Sequence, residues 1–312
     1  MLNKMKNIFI YNLIVLFIAA ATIFNGCDSP APTELVQDNS SSQNPIQIQV
    51  ASKDTSDVLY NNGIDTTGVA VSDTAYASVI YVVGTKITYN SYTEKISSAQ
   101  ALFLDKKNPV QGLNGKIIGY KTLLPGDIQF DYHHARLIPY RVGYNYMGHY
   151  VDTLLGERYI LSSRMLNPMY RFNFPYNSTI KFQILTNTLG KSTEFNIPTP
   201  PEVIGKVKLT GKLRDKTLTA ELDWNSALQK NINIILGAVP KNQKNPIPLF
   251  QITGNDSGKL IIPTKLLNSI PLNKYDKIVF SFVRAYTETK FANGNYILVS
   301  SQSIHSIILD IP

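Results

Sequence analysis

One cysteine in 312 residues excludes a disulfide framework within the chain and any cysteine-based structural zinc site. Tryptophan also occurs once, and histidine four times. Charged residues reach only 17% against 44% apolar, too little charge and too much buriable surface for a chain disordered throughout. No basic run exceeds two residues, and there is no glycine-rich phosphate loop, no Gly-x-Ser-x-Gly nucleophile elbow and no histidine pair at helical spacing. Sustained helical periodicity is missing too. What is abundant is tyrosine and phenylalanine, 18 and 13 residues, whose flat rings suit a pleated, half-buried surface and so point to strands.

Cys27 follows a distinctive leader. Lys4 and Lys6 give a short basic start, residues 8–24 are apolar apart from Asn12 and Thr22, and Asn25-Gly26-Cys27 closes the stretch. That is the layout of an export signal. The apolar run is also nearly long enough to span a bilayer as a helix, so an uncleaved anchor is the competing reading. With small Gly26 directly before the lone cysteine and a polar segment after it, the stretch resembles the lipobox of bacterial lipoprotein precursors, although Phe24 and Asn25 depart from its commonest residues. The resemblance implies cleavage before Cys27, leaving 1–26 as signal peptide, and a diacylglyceryl thioether on Cys27. It places the protein in a bacterial cell envelope, held to the membrane by lipid; inner or outer membrane and periplasmic or surface face stay open.

Charge is distributed unevenly along the chain. Residues 27–75 carry seven acids (Asp28, Glu34, Asp38, Asp54, Asp57, Asp65, Asp73) against Lys53, a balance of −6, whereas 76–200 and 201–312 each carry +6. Removing Lys4 and Lys6 with the leader lowers the total from +8 to +6. A basic exported body favours anionic partners such as lipopolysaccharide or acidic glycans, and export excludes an intracellular nucleic-acid role. Scattered lysines that merely keep a sheet protein soluble are the plainer account.

Residues 27–74, rich in Ser, Pro, Asn, Gln and Asp, read as a flexible acidic tether. Within it Ile46, Ile48 and Val50 alternate with glutamines and could make one short strand. From residue 75 the pattern turns to strands separated by turn signals, expected over 75–83, 99–104, 116–120, 128–132, 170–174 and 179–185. Leu154 to Met165 reads as a short helix or a long connection. Pro198, Pro200 and Pro201 mark a boundary, because proline cannot continue a central strand. The expectation is an all-β chain of two sandwich domains, 75–200 and 201–312.

In the second part Leu218, Ala220, Leu222 and Trp224 fall on one face, and Ile232 to Leu236 makes the next strand. Ala220-Glu221-Leu222-Asp223-Trp224 with that following strand resembles a fibronectin type III or related immunoglobulin-like domain. The resemblance implies a sandwich with Trp224 as a core ring, a fold that serves binding and spacing roles alike.

Site chemistry is sparse, and no metal or cofactor is expected. His133 and His134, adjacent on a strand, point to opposite faces and cannot share one ion, whereas Asp131 and His133 share a face. The most unusual segment holds Tyr132, Arg136, Tyr140, Arg141, Tyr144, Tyr146 and Tyr150, with Gly143 and Gly148 between. Tyrosine and arginine combine area with polar reach and are enriched in binding hot spots. The alternative is a strand whose even-numbered tyrosines pack across a sheet. The functional expectation is a non-catalytic structural or interaction protein of the envelope with a protein or glycan partner; the alternative is a carbohydrate-binding or glycan-processing accessory lipoprotein using the Tyr/Arg segment.

Overall fold

A computed structural model of the chain describes Gln47–Val50 and residues 78–312, apart from 114, 187–191, 228–230, 244 and 293–294. Cys27, the expected signal peptide and most of the expected tether lie outside these residues.

The described chain is almost entirely strand, with one short α-helix, Thr264–Ser269. Its organising element is a large, mainly antiparallel sheet. In spatial order it contains β1 (Gln47–Val50), β14 (Ile247–Gly254), β13 (Ile232–Pro240), β16 (Tyr275–Ala292), β17 (Asn295–Asp310), β2 (Ser78–Thr88), β3 (Thr93–Gln111), β8 (His149–Ser162) and β7 (Arg136–Tyr146). β4 (Ile117–Thr122) pairs with the far end of β3. Two smaller sheets complete the sandwich-like fold: β10 (Thr193–Pro198), β9 (Thr179–Leu185), β5 (Asp127–Phe130) and β6 (His133–His134) form one, and β11 (Gly205–Thr210), β12 (Thr219–Trp224) and β15 (Lys259–Ile262) the other.

Side-chain periodicity decides which strands lie where. In β9, Ile180, Phe182 and Ile184 are buried while Lys181 and Gln183 face outward, the alternation of a strand packed on one face only. β12 repeats it with Ala220, Leu222 and Trp224 inward. In β2 both faces are buried from Ser78 to Gly84, which matches its nearly unbroken β-branched and aromatic run. Ile80 and Val82 point into a core with Phe130, Phe182 and Ile184, whereas Val79, Tyr81 and Val83 join Tyr140, Leu155 and Val283 on the opposite face.

The sheet does not stop at the prolines. β10 ends at Pro198, but β17, from the second half, pairs in parallel with β2, from Ile297 opposite Ser78 to Ile307 opposite Thr88. Ile297 and Val299 also sit in the core built by the first half. The expected domains 75–200 and 201–312 therefore share one sheet and part of one core. A parallel pair needs a long connection, and here the chain between β2 and β17 supplies it.

Three local expectations change. Leu154 to Met165 belongs largely to β8 and is extended, since Leu155, Tyr159 and Leu161 are buried against β7 and β3. Residues 170–174 are not a strand: a 3-10 turn, Pro168–Tyr170, leads into unpaired extended chain that buries Phe172 and Phe174. Asp131 and Tyr132 have φ of 46° and 67° and form the two-residue turn between β5 and β6. Gln47–Val50, inside the expected tether, is a strand on β14 with Ile48 buried.

Candidate functional site

The Tyr/Arg segment does not gather into one face. Tyr140 is 1% exposed and belongs to a core with Val142 and Leu155. Tyr144 and Tyr146 follow it along the same side of β7, half-buried, and the Tyr144 hydroxyl accepts a hydrogen bond from the Leu113 backbone N–H at 3.0 Å. Arg141 points the other way and pairs with Asp152 at 2.9 Å, an exposed pair of small net worth. Tyr150, 74% exposed, lies on that second face across Gly143, where any Cβ would run into its ring. Arg136 is exposed at the start of β7, and Tyr132, 72% exposed, sits on the other sheet with the Lys181 ammonium 6.0 Å from its ring centre. The alternating-strand reading thus describes Tyr140, Tyr144 and Tyr146, leaving Tyr132 and Tyr150 as separate exposed rings.

The β7–β8 hairpin turns through Met147 and Gly148, both at positive φ, and Met147 is 81% exposed. Through the Tyr144–Leu113 bond this tip is tied to the β3–β4 hairpin, which exposes Leu113 and Ile117. The exposed material there is aliphatic as much as aromatic.

A buried charge network, not anticipated from the sequence, locks the second half. Arg284 donates from Nε to Asp256 Oδ2 at 2.9 Å and from Nη2 to Asp256 Oδ1 at 3.0 Å, with both side chains essentially without solvent contact. Its remaining donors go to the backbone carbonyls of Glu202 (3.1 Å) and Asn225. Asp256 further accepts from Trp224 Nε1 at 2.7 Å and from the Ala227 N–H at 3.2 Å. The network ties β16, the β14–β15 connection, the end of β12 and the stretch after the prolines into one unit. A signal was available: Arg284 shares the parity of buried Phe280 and Phe282, so a strand places its charge inward.

His305 is equally enclosed. Its Nδ1 accepts from the Gly205 N–H at 2.8 Å and its Nε2 stands 2.9 Å from Thr88 Oγ1, so the ring is neutral with the proton on Nε2. Burial, reinforced by Lys86 and opposed by Glu202, lowers its pKa from 6.5 to about 4. Burial, aided by Glu202, also pushes the Tyr176 phenol up to about 12. Of the other histidines, His134 pairs with Asp127 at 2.5 Å across the β5–β6 hairpin, on the exposed surface. Asp131 does not orient His133; its Oδ1 accepts from the Lys181 N–H at 2.7 Å and braces the turn. Among the described residues no three His, Cys, Asp or Glu side chains are grouped to hold a metal ion.

One depression among the described residues, of about 770 Å³, lies on the large sheet across both halves and is lined mainly by aliphatic residues including Ile87, Ile235, Val279 and Ile304. Another, of about 660 Å³, is formed by loops around Arg214, Lys216 and Lys241. Together these features define an all-β, sandwich-like protein whose buried polar groups serve cohesion. No family model, no curated protein and no solved structure matches the chain.

Proposed function

We propose that this chain is a lipid-anchored protein of a bacterial cell envelope that works by binding and presentation, not by catalysis. The observation that carries the reading is the leader: a basic start, an apolar run over 8–24 and Gly26 immediately before the only cysteine, followed by an acidic polar stretch. Multiple acyl chains on Cys27 would make attachment stable where a single chain is marginal. Because β1 begins at Gln47 and belongs to the body, only residues 27–46 of the expected tether separate it from Cys27; they would span at most about 70 Å and, as a coil, about 22 to 27 Å, enough to hold the β body off the membrane.

Among the described residues no helix is long and apolar enough to cross a membrane. The exposed side chains of Leu113, Ile117, Met147 and Tyr150 on two joined hairpins support a protein-binding surface, since apolar groups at such tips bury nothing within the fold. We read the layer containing Trp224 as a variant of the fibronectin type III or immunoglobulin-like sandwich, supported by the inward alternation of Ala220, Leu222 and Trp224. Metabolic labelling with a fatty acid tests the anchor. Wild type should be labelled and Cys27→Ala should not; equal labelling of both defeats the proposal.

A further inference from the structure

We propose that the loop end of the second half is a polyanion site that takes an acidic polysaccharide chain. It deepens the reading of this protein as an envelope interaction protein by naming the chemistry of one partner. Four stretches distant in sequence meet there: the β11–β12 loop, the turn after β13, the stretch from Asn268 to Asp276, and Ile311 with Pro312. Their backbones are tied together, with the Lys241 N–H donating to Lys274 O at 3.3 Å and Asn268 Nδ2 donating to Lys216 O at 2.9 Å. The Leu213 N–H donates to Pro312 O at 3.3 Å. These bonds fix where the cationic side chains start.

Lys212, Arg214, Lys216, Lys241 and Lys274 are all exposed there, and none forms an ion pair among the described residues. Lys277, close by on β16, is held by Asp310 at 2.6 Å, and Lys181 and Lys259 elsewhere on the surface pair with Glu194 and Glu221. Asp215 and Asp276 lie in the same stretches but pair with none of the five. Cations in excess over the nearby carboxylates attract a polyanion, which on neutralising several at once releases its own condensed counter-ions.

The shape selects among polyanions. Arg214, Lys216 and Lys241 border a depression of about 660 Å³, wide enough for sugar units that carry their charges into it. Its larger aliphatic groups are recessed, with Ile270 and Leu272 buried and Leu213 and Ile311 half-buried, and only the small rings of Pro271 and Pro312 are exposed, too little apolar surface to insert into a bilayer. Among the described residues of the lining Tyr275 is the one aromatic, which offers no run of stacking platforms for single-stranded nucleic acid. Asn273 and Tyr275 add hydrogen-bonding groups suited to hydroxyls.

The test uses the full-length protein in nonionic detergent, with heparin as the polyanion probe and mixed micelles of phosphatidylglycerol in the same detergent as the membrane-lipid probe. Replacing Arg214, Lys216 and Lys241 together by Ser should weaken heparin binding at least about tenfold and flatten its salt dependence by about two in the log–log slope. A control triple, Lys107→Ser with Lys116→Ser and Lys121→Ser, removes the same charge from the β3–β4 hairpin and should change binding less than about twofold. Both triples should keep the wild-type unfolding midpoint. Equal losses in the two triples would mean that only net charge matters and would overturn the proposal. It would also be overturned by phosphatidylglycerol binding that falls in the first triple while heparin binding stands. Because Cys27 labelling is independent of these measurements, the anchor and the polyanion site can fail separately.

Discussion

Replacing Asp256 by Ala should be among the most damaging single changes in the folded body. The carboxylate takes two bonds from Arg284, one from Trp224 Nε1 and one from the Ala227 N–H, all inside the protein. Removing it leaves a guanidinium buried without its counter-ion, a change that typically costs about 3 to 5 kcal/mol. The orphaned indole N–H adds to the loss, because an unsatisfied buried donor costs about 1 to 3 kcal/mol, although the two effects share a cavity and will not simply add. For a body of this size each kcal/mol moves the midpoint by about 2 to 4 °C, so the variant should melt about 6 to 20 °C lower. Asp256→Asn, which keeps the volume but halves the acceptors and removes the charge, should also destabilise. The double replacement Asp256→Leu with Arg284→Met removes both charges and should cost less than either single change, since the expense lies in the unpaired ion. Urea unfolding followed by far-ultraviolet circular dichroism gives the free energies, and Trp224 fluorescence reports the site itself. An Asp256→Ala loss below about 1 kcal/mol would refute this reasoning by showing that water reaches Arg284.

Stability should fall as pH drops from about 6.5 to 4, because His305 has its pKa lowered to about 4 in the fold, so the unfolded chain binds its proton first. The full effect is about 3 kcal/mol, present above the unfolded pKa and lost below the folded one; His305→Gln should flatten that part of the pH profile. Tyr140→Ala should cost about 3 to 5 kcal/mol as a core ring, whereas exposed Tyr150→Ala should stay within about 0.5 kcal/mol; similar losses at both, read by denaturant titration, would contradict the packing of β7. At Gly205 a Cβ would meet the enclosed Phe282 ring, so Gly205→Ala should cost about 1 to 3 kcal/mol. Gly143→Ala should cost less, because Tyr150 is free to swing outward.

Local chemistry was enough to reveal the class of the fold. Alternation along Ile180, Phe182 and Ile184, or along Ala220, Leu222 and Trp224, is a property of adjacent residues, and a period of two has one physical meaning. The basic start and apolar run before Cys27 are likewise a linear pattern, from which the anchor is proposed without any fold. Arg284 could have been found the same way, as a charge on the inward parity of an apolar strand. Where the strands go was not legible. The parallel pairing of β17 with β2 joins residues more than 200 positions apart, and nothing in either strand's own sequence names its neighbour. Proline at 198–201 ends a strand locally but cannot tell whether the next segment begins a new domain or returns to the same sheet. The tyrosines of β7 show the same division: their composition suggests a surface, yet burial of Tyr140 and exposure of Tyr150 depend on what packs against each face. The five unpaired cations come together for a like reason. Lys216, Lys241 and Lys274 are scattered along the chain and come to the same end of the body only when hydrogen bonds between their loops close, because electrostatic fields add by distance in space and not by distance in sequence.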